Sequence, residues 1–244
     1  IEQGAIEQAL ANFVSLVERL PIDKMRRDVG IFYARISLVE RSHPEDSTFE
    51  RMAAVFDRYL YDPNSPLRNE EIYLPFCEKM SASEFLDEAE RDIYAHHAGK
   101  CSLNRIGEVA ADFRFSDRWG KVRTLHSIKA ETTLLFFSNP GCHACKEIID
   151  GLCRLQGVPE MIADGRLAVL NIYIDEDLAA WYEYMPIYPD NWHNAYDPDM
   201  VIRADGLYNV RAIPSLYLLD AGKRVIMKDA PENRVMDYIA GLPL

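Results

Sequence analysis

Two cysteines separated by two residues, Cys142 and Cys145, follow a run of strand-formers from Thr132 to Ser138 and open a helical pattern. A helix start offers unpaired N–H groups and a partial positive charge, which favour a thiolate on the first cysteine. The second lies one turn further on, within reach of a disulfide to the first. Cys142 is therefore the candidate nucleophile and Cys145 the buried resolving thiol of an exchange reaction, which needs one thiolate to attack and a second thiol to release the mixed disulfide. His143 and Ala144 sit between the thiols and set their surroundings. A protonated His143 favours the Cys142 thiolate and makes the disulfide more oxidising; the competing expectation is an exposed histidine without that role. Lys146 adds positive potential one turn from Cys142, or is simply solvated.

A bare C-x-x-C is also half of a zinc site or part of a haem attachment signal. Zinc needs two more ligands at comparable spacing, but Cys77, Cys101 and Cys153 form no second C-x-x-C. Haem attachment needs His after the second cysteine, where Lys146 stands. No metal and no cofactor is expected.

The 244 residues suffice for one large or two ordinary domains, and 48% hydrophobic with 27% charged residues is the composition of a soluble globular chain. A formal net charge of -12 argues against nucleic acid as a partner, since no basic stripe is present to neutralise phosphates. No apolar run approaches the roughly 20 residues of a spanning helix. Because the chain opens at Ile1 rather than Met, it is expected to be a processed product that has lost a signal peptide or lipoprotein leader, or a trimmed one.

The first part, residues 1–106, reads as all-helical. Leu10, Phe13, Val14, Val17 and Leu20 recur at helical spacing, as do Met25, Val29, Phe32, Ile36 and Val39 after the break at Pro21. Ser47 with Glu50 resembles a capping box for a helix carrying Phe49, Met52, Ala53, Phe56 and Leu60; Ser81 with Glu84 resembles another, for a helix carrying Phe85, Leu86, Ala89 and Ile93. A less regular helical stretch from Asn69 to Met80 lies between them. Residues 107–244 alternate strand and helix instead. Phe113 to Phe115 and Val122 to Leu125 suggest a hairpin about Gly120. Thr132 to Ser138 reads as a central strand covered on both faces, then a helix to about Leu155, a parallel strand from Leu167 to Ile174 and a helix from Asp177 to Met185. An irregular segment through Pro186 and Pro189, a short helix from Val201 to Tyr208, a hairpin from Ser215 to Lys228 and a closing helix from Pro231 complete it.

This order, with Leu134-Leu135-Phe136-Phe137-Ser138-Asn139-Pro140-Gly141-Cys142-His143-Ala144-Cys145-Lys146, Asn171-Ile172-Tyr173-Ile174-Asp175 and Arg211-Ala212-Ile213-Pro214-Ser215-Leu216, resembles the thioredoxin fold. Ala111-Asp112-Phe113 and the insertion between Asp175 and Met200 resemble the TlpA/ResA-type thiol–disulfide oxidoreductases of bacterial envelopes. The helical part, with Tyr61-Asp62-Pro63-Asn64-Ser65-Pro66, is similar to a domain of unknown function that precedes such modules. The resemblance implies an α/β thioredoxin-like fold preceded by an all-α domain, exchange with protein disulfide or dithiol clients, an upstream redox partner and a periplasmic or cell-envelope location. It also implies a cis peptide before Pro214, leaving the Ile213 backbone to pair with an extended client. Three positions depart from the family pattern: Gly141 stands where an aromatic residue is frequent, Phe136 where thioredoxins bury an Asp, and Ile148 where the envelope reductases often place a Glu. The proton acceptor for Cys145 is thus unassigned.

Trp181 and Trp192 flank the insertion and are candidates for a substrate-recognition surface, with burial under the loop as the competing expectation. Cys153, about 16 Å along the helix from Cys142, reads as core packing. Cys77 and Cys101 are candidates for a structural disulfide only if their Cα atoms approach within about 7 Å. Pro-Gly-Cys after a strand also occurs in peroxiredoxins, but Asn139 stands where a peroxidatic site carries Thr or Ser. The alternative outside catalysis is an envelope binding protein on a thioredoxin-like scaffold.

Overall fold

The computed structural model describes residues 3–243; Ile1, Glu2 and Leu244 lie outside it. The chain divides into two compact units, Ile1–Ser102 and Leu103–Leu244.

Among its described residues the first unit has helices and no strand: α1 Gln3–Val17, α2 Ile22–Ser42, α3 Thr48–Phe56, α4 Glu70–Met80 and α5 Glu88–Cys101, with a π-helical turn, Asp57–Tyr61, continuing α3. Its core is aromatic. Phe49, Phe56, Phe76 and Tyr73 are completely covered, each worth about 1.5–3 kcal/mol of burial. A polar knot sits within it: the Tyr73 and Tyr94 hydroxyls donate to the two oxygens of Asp57 at 2.6 and 2.8 Å. Burial pushes the Asp57 carboxyl up from its ordinary value, against the opposing pull of the two tyrosines.

Three details of this unit differ from the sequence reading. Val39 is 42% exposed, while neighbouring Glu40 is buried, because its carboxylate accepts the Phe49 N–H at 2.9 Å. Ser47 has a left-handed backbone, φ 47°, and makes no side-chain cap. Nor does Ser81 begin a helix: Asp87 and Glu90 form the capping box, each carboxylate accepting the other's backbone N–H. Moving the start to Glu88 leaves Ala89 and Ile93 exposed and turns Tyr94 and Cys101 inward.

The second unit contains β1 Arg114–Asp117, β2 Val122–Thr124, β3 Thr132–Phe137, α6 His143–Arg154, α7 Val158–Ala163, β4 Leu167–Tyr173, α8 Leu178–Tyr184, β5 His193–Tyr196, β6 Ser215–Asp220, β7 Val225–Met227 and α9 Glu232–Ala240. Its seven-stranded sheet runs β2-β1-β5-β4-β3-β6-β7. β3 lies parallel to β4 and antiparallel to β6, and all six of its residues are buried, the threonines Thr132 and Thr133 along with the apolar Leu134 to Phe137. Leu134 and Phe136 pack with Ile148, Ile149 and Leu152 of α6, while Leu135 and Phe137 join Phe113, Leu125 and Tyr208 on the opposite face.

Residues 201–208 do not form a helix. The Asp197 carboxylate accepts the backbone N–H groups of Asp199 and Ile202 at 3.1 and 2.9 Å, and left-handed backbone at Met200 and Gly206, φ 56° and 64°, interrupts any helical run. The segment beyond Pro189, expected to be irregular, contributes β5 between β1 and β4.

Candidate active site

β3 delivers the chain to a tight turn, Asn139 to Gly141, from which α6 departs. Gly141 adopts φ +72°, a left-handed backbone that costs a residue with a Cβ about 1–2 kcal/mol. An aromatic residue at this position would carry that cost unless the turn changed conformation. Cys142 is the N-cap of α6, and its sulfur accepts the Cys145 N–H at 3.1 Å. A group in that position satisfies a donor that the helix leaves without a partner and lies at the positive end of its dipole. The two cysteines are joined as a disulfide, with Cα atoms 5.2 Å apart. Cys142 is half-buried, whereas Cys145 is 1% exposed and lies on the inner stripe of α6 with Ile148, Ile149 and Leu152.

The polar side chains near the pair are engaged elsewhere. The His143 imidazole, 89% exposed, faces the Glu147 carboxylate at 3.4 Å, and Lys146 binds both oxygens of Asp150 at 2.5 and 2.6 Å. The turn itself is tied down: Cys142 N–H donates to the Asn139 carbonyl at 3.3 Å, and the Asn139 amide donates to Asp175 at 2.7 Å, which in turn pairs with Arg203.

The Ile213–Pro214 peptide is cis. Because Ser215 pairs with Phe137 across β6 and β3, Pro214 stands level with Ser138, four positions before Cys142. A buried cluster holds this segment. Arg211 and Asp229, with side chains 10% and 4% exposed, pair at 2.6 Å, and the Ser215 hydroxyl donates to the other Asp229 oxygen at 2.8 Å. Beneath the turn, Ser138 donates to Asn171. Asn171 donates to Asn194 at 3.1 Å and Asn194 to the Pro189 carbonyl at 2.8 Å. Burial pushes the adjacent Tyr188 phenol up to about 12, so it stays neutral. Neither cluster was found by sequence reasoning. Arg211 and Asp229 are 18 residues apart with no spacing rule to connect them, and Asn171 interrupts an otherwise apolar strand, the one available signal.

Comparison with known proteins agrees with this geometry. A thioredoxin-like protein from Bacteroides caccae is 35% identical, and the match covers 98% of this chain and 84% of that one with a TM-score of 0.85. The chain belongs to the thioredoxin-like proteins. The C-terminal domain of an uncharacterized protein from Bacteroides fragilis is 44% identical over 56% of this chain and 98% of its own, with a TM-score of 0.54. Residues 1–104 match a family described as a domain of unknown function, DUF5106. No curated protein matches.

Other candidates in this thioredoxin-like protein lie apart from the disulfide or are closed off. Trp181 and Trp192 are 1% and 6% exposed, packed in the sheet's α6-side core, so neither presents a recognition surface. The exposed tryptophan is Trp119, at 76%. Cys153 is exposed rather than in the core, since it falls one position past Leu152 and a helix turns about 100° per residue. Cys77 and Cys101 are both buried free thiols. Burial, and then the nearby Cys101, pushes the Cys77 thiol up, so it stays protonated. Among the described residues, no helix is long and apolar enough to cross a membrane.

Proposed function

We propose that the protein is a thiol–disulfide oxidoreductase acting on protein clients through Cys142 and Cys145. The observation that carries this reading is the N-cap position of Cys142, whose sulfur accepts the Cys145 N–H while Cys145 itself is buried. In the reduced protein the Cys142 thiolate attacks one sulfur of a client disulfide. A mixed disulfide forms and the client's other sulfur leaves as a thiolate that takes up a proton. Cys145 then loses its proton and attacks the Cys142 sulfur, closing the disulfide and releasing the client's second thiol. Two electrons and two protons pass to the client; the reverse sequence oxidises a client dithiol.

Ile213, half-buried before the cis Pro214, is the backbone site for an extended client chain. His143, Ala144 and Pro214 shape the surroundings of the thiols, and the exposure of His143 makes its influence on Cys142 smaller than that of the helix start. An upstream redox partner restores the starting state. We place the protein in the bacterial envelope, on its resemblance to the envelope reductases at the residues around Cys142 and Pro214.

Dithiothreitol-coupled insulin reduction tests the reading. Wild type is expected to accelerate it, Cys142→Ser to abolish the acceleration, and Cys145→Ser to accumulate mixed disulfides through Cys142. Equal rates for wild type and Cys142→Ser would leave a binding module on a thioredoxin-like scaffold instead.

A further inference from the structure

At the β2 end of the sheet a cavity of about 220 Å3 is lined by Asp117, Arg118, Trp119, Arg123, Asp190 and His193, among others. Most of its polar groups are already satisfied. Asp117 accepts the backbone N–H groups of Trp119 and Lys121, both at 2.9 Å. Arg118 pairs with Asp190 at 2.8 Å and lies over the Trp119 ring, 4.4 Å from its centroid. Arg123 is different. It is half-buried, yet among the described residues its guanidinium makes no hydrogen bond and no ion pair. Its positive charge is felt inside the cavity: burial first, and then Arg123, lower the His193 pKa below its ordinary value. The imidazole is thus held neutral, adding a donor and an acceptor without adding charge. The guanidinium, open to water and unclaimed by the protein, offers five donors in a planar fork, which a carboxylate meets in bidentate fashion.

We propose that this cavity recognises an extended peptide segment by one acidic side chain, whose carboxylate is held by Arg123. Two observations select a peptide over a small-molecule ligand. The volume is that of a single large side chain, below the roughly 300 Å3 at which ligand pockets begin. The cavity also adjoins the sheet edge: β2 ends the strand order, and although the Ser127 hydroxyl takes both the N–H and the carbonyl of Thr124, exposed Val122 leaves room for one pair of backbone hydrogen bonds to an added chain. Trp119, 76% exposed and covered by Arg118 on one face only, supplies a platform for a flanking apolar or aromatic residue. This site is separate from the cysteine pair, which lies beyond the end of β3.

The test uses the full chain labelled with 15N and follows the Trp119 indole N–H by NMR. The probes are acetylated pentapeptide pools with mixed flanking residues and a central Glu, Gln or Lys, none containing cysteine, so the result is independent of thiol exchange. The Glu pool is expected to shift the Trp119 signal saturably, with the Gln and Lys pools at least about tenfold weaker. Arg123→Gln is expected to erase that preference. Should that variant fail to fold, Arg123→Lys, which keeps the charge but not the planar fork, is expected to reduce it. No saturable shift with the Glu pool, or equal affinity for the Glu and Gln pools, would overturn the proposal. So would free glutarate binding as tightly as the Glu pool, because the site would then be one for small anions.

Discussion

Removing the Asp229 carboxylate should unfasten the segment that carries Pro214. Arg211 and Asp229 are 10% and 4% exposed and 2.6 Å apart, so Asp229→Ala removes the buried carboxylate that this guanidinium pairs with. Breaking a buried pair from one side costs about 3–5 kcal/mol. The Ser215 hydroxyl, now without its acceptor at 2.8 Å, is worth about 1 kcal/mol taken alone, but the two losses share one network and do not add. The expected destabilisation is therefore about 3–5 kcal/mol, a fifth or more of the stability of an ordinary domain. Removing both charges is a different perturbation. Arg211→Met combined with Asp229→Leu abolishes the desolvation burden along with the attraction, and is expected to cost only about 1–2 kcal/mol, because the left-handed φ of 42° at position 229 suits Leu less well than Asp. Urea unfolding of the three variants gives the energies, and hydrogen exchange over residues 209–231 reports whether the loss is local. The reasoning fails if Asp229→Ala costs less than about 1 kcal/mol, or if the double variant is as unstable as the single one.

Two other outcomes follow from the geometry. Gly141→Ala, forced to hold φ +72°, should lose about 1–2 kcal/mol by urea unfolding, even though an added Cβ meets nothing within 4 Å; no loss would mean that the turn relaxes to another conformation. Asp57, raised above the ordinary 3.8, keeps its proton in the folded state at pH values where the unfolded chain has released it. Its contribution should then fall as pH rises from 3.8 through the raised value, and Asp57→Asn should flatten that part of the stability profile.

How much of this was legible in the chain depends on the range of the interactions involved. The buried β3 and the helix that follows it announce themselves through local pattern, two β-branched threonines and then four apolar residues, Leu134 to Phe137, followed by an inner stripe at helical spacing. The cis peptide before Pro214 came from the resemblance, not from any local signal. What was misread turned on side chains that bind distant backbone. Glu40 is buried because Phe49 N–H needs an acceptor, so polarity displaced Val39 from the core. Asp197 ties the N–H groups of Asp199 and Ile202 into a turn, and left-handed backbone at Met200 and Gly206 breaks a helix over 201–208. Trp181 and Trp192 flank an insertion in the sequence, but β5 draws that insertion into the sheet and the rings inward with it. The clusters around Asp229 and Asn171 join separate strands and loops, and no pattern within one segment reveals them.

Thiol reactivity across pH tests the central claim most directly. The fully reduced protein is treated with iodoacetamide between pH 4 and 10, and each cysteine is read by mass spectrometry. A helix start that stabilises the anion predicts that Cys142 is alkylated first, with a midpoint below the roughly 8.5 of a free thiol, while buried Cys145 stays unmodified over the same interval. Alkylation of Cys145 before Cys142, or a Cys142 rate that rises only above the free-thiol value, would contradict the assignment of Cys142 as nucleophile.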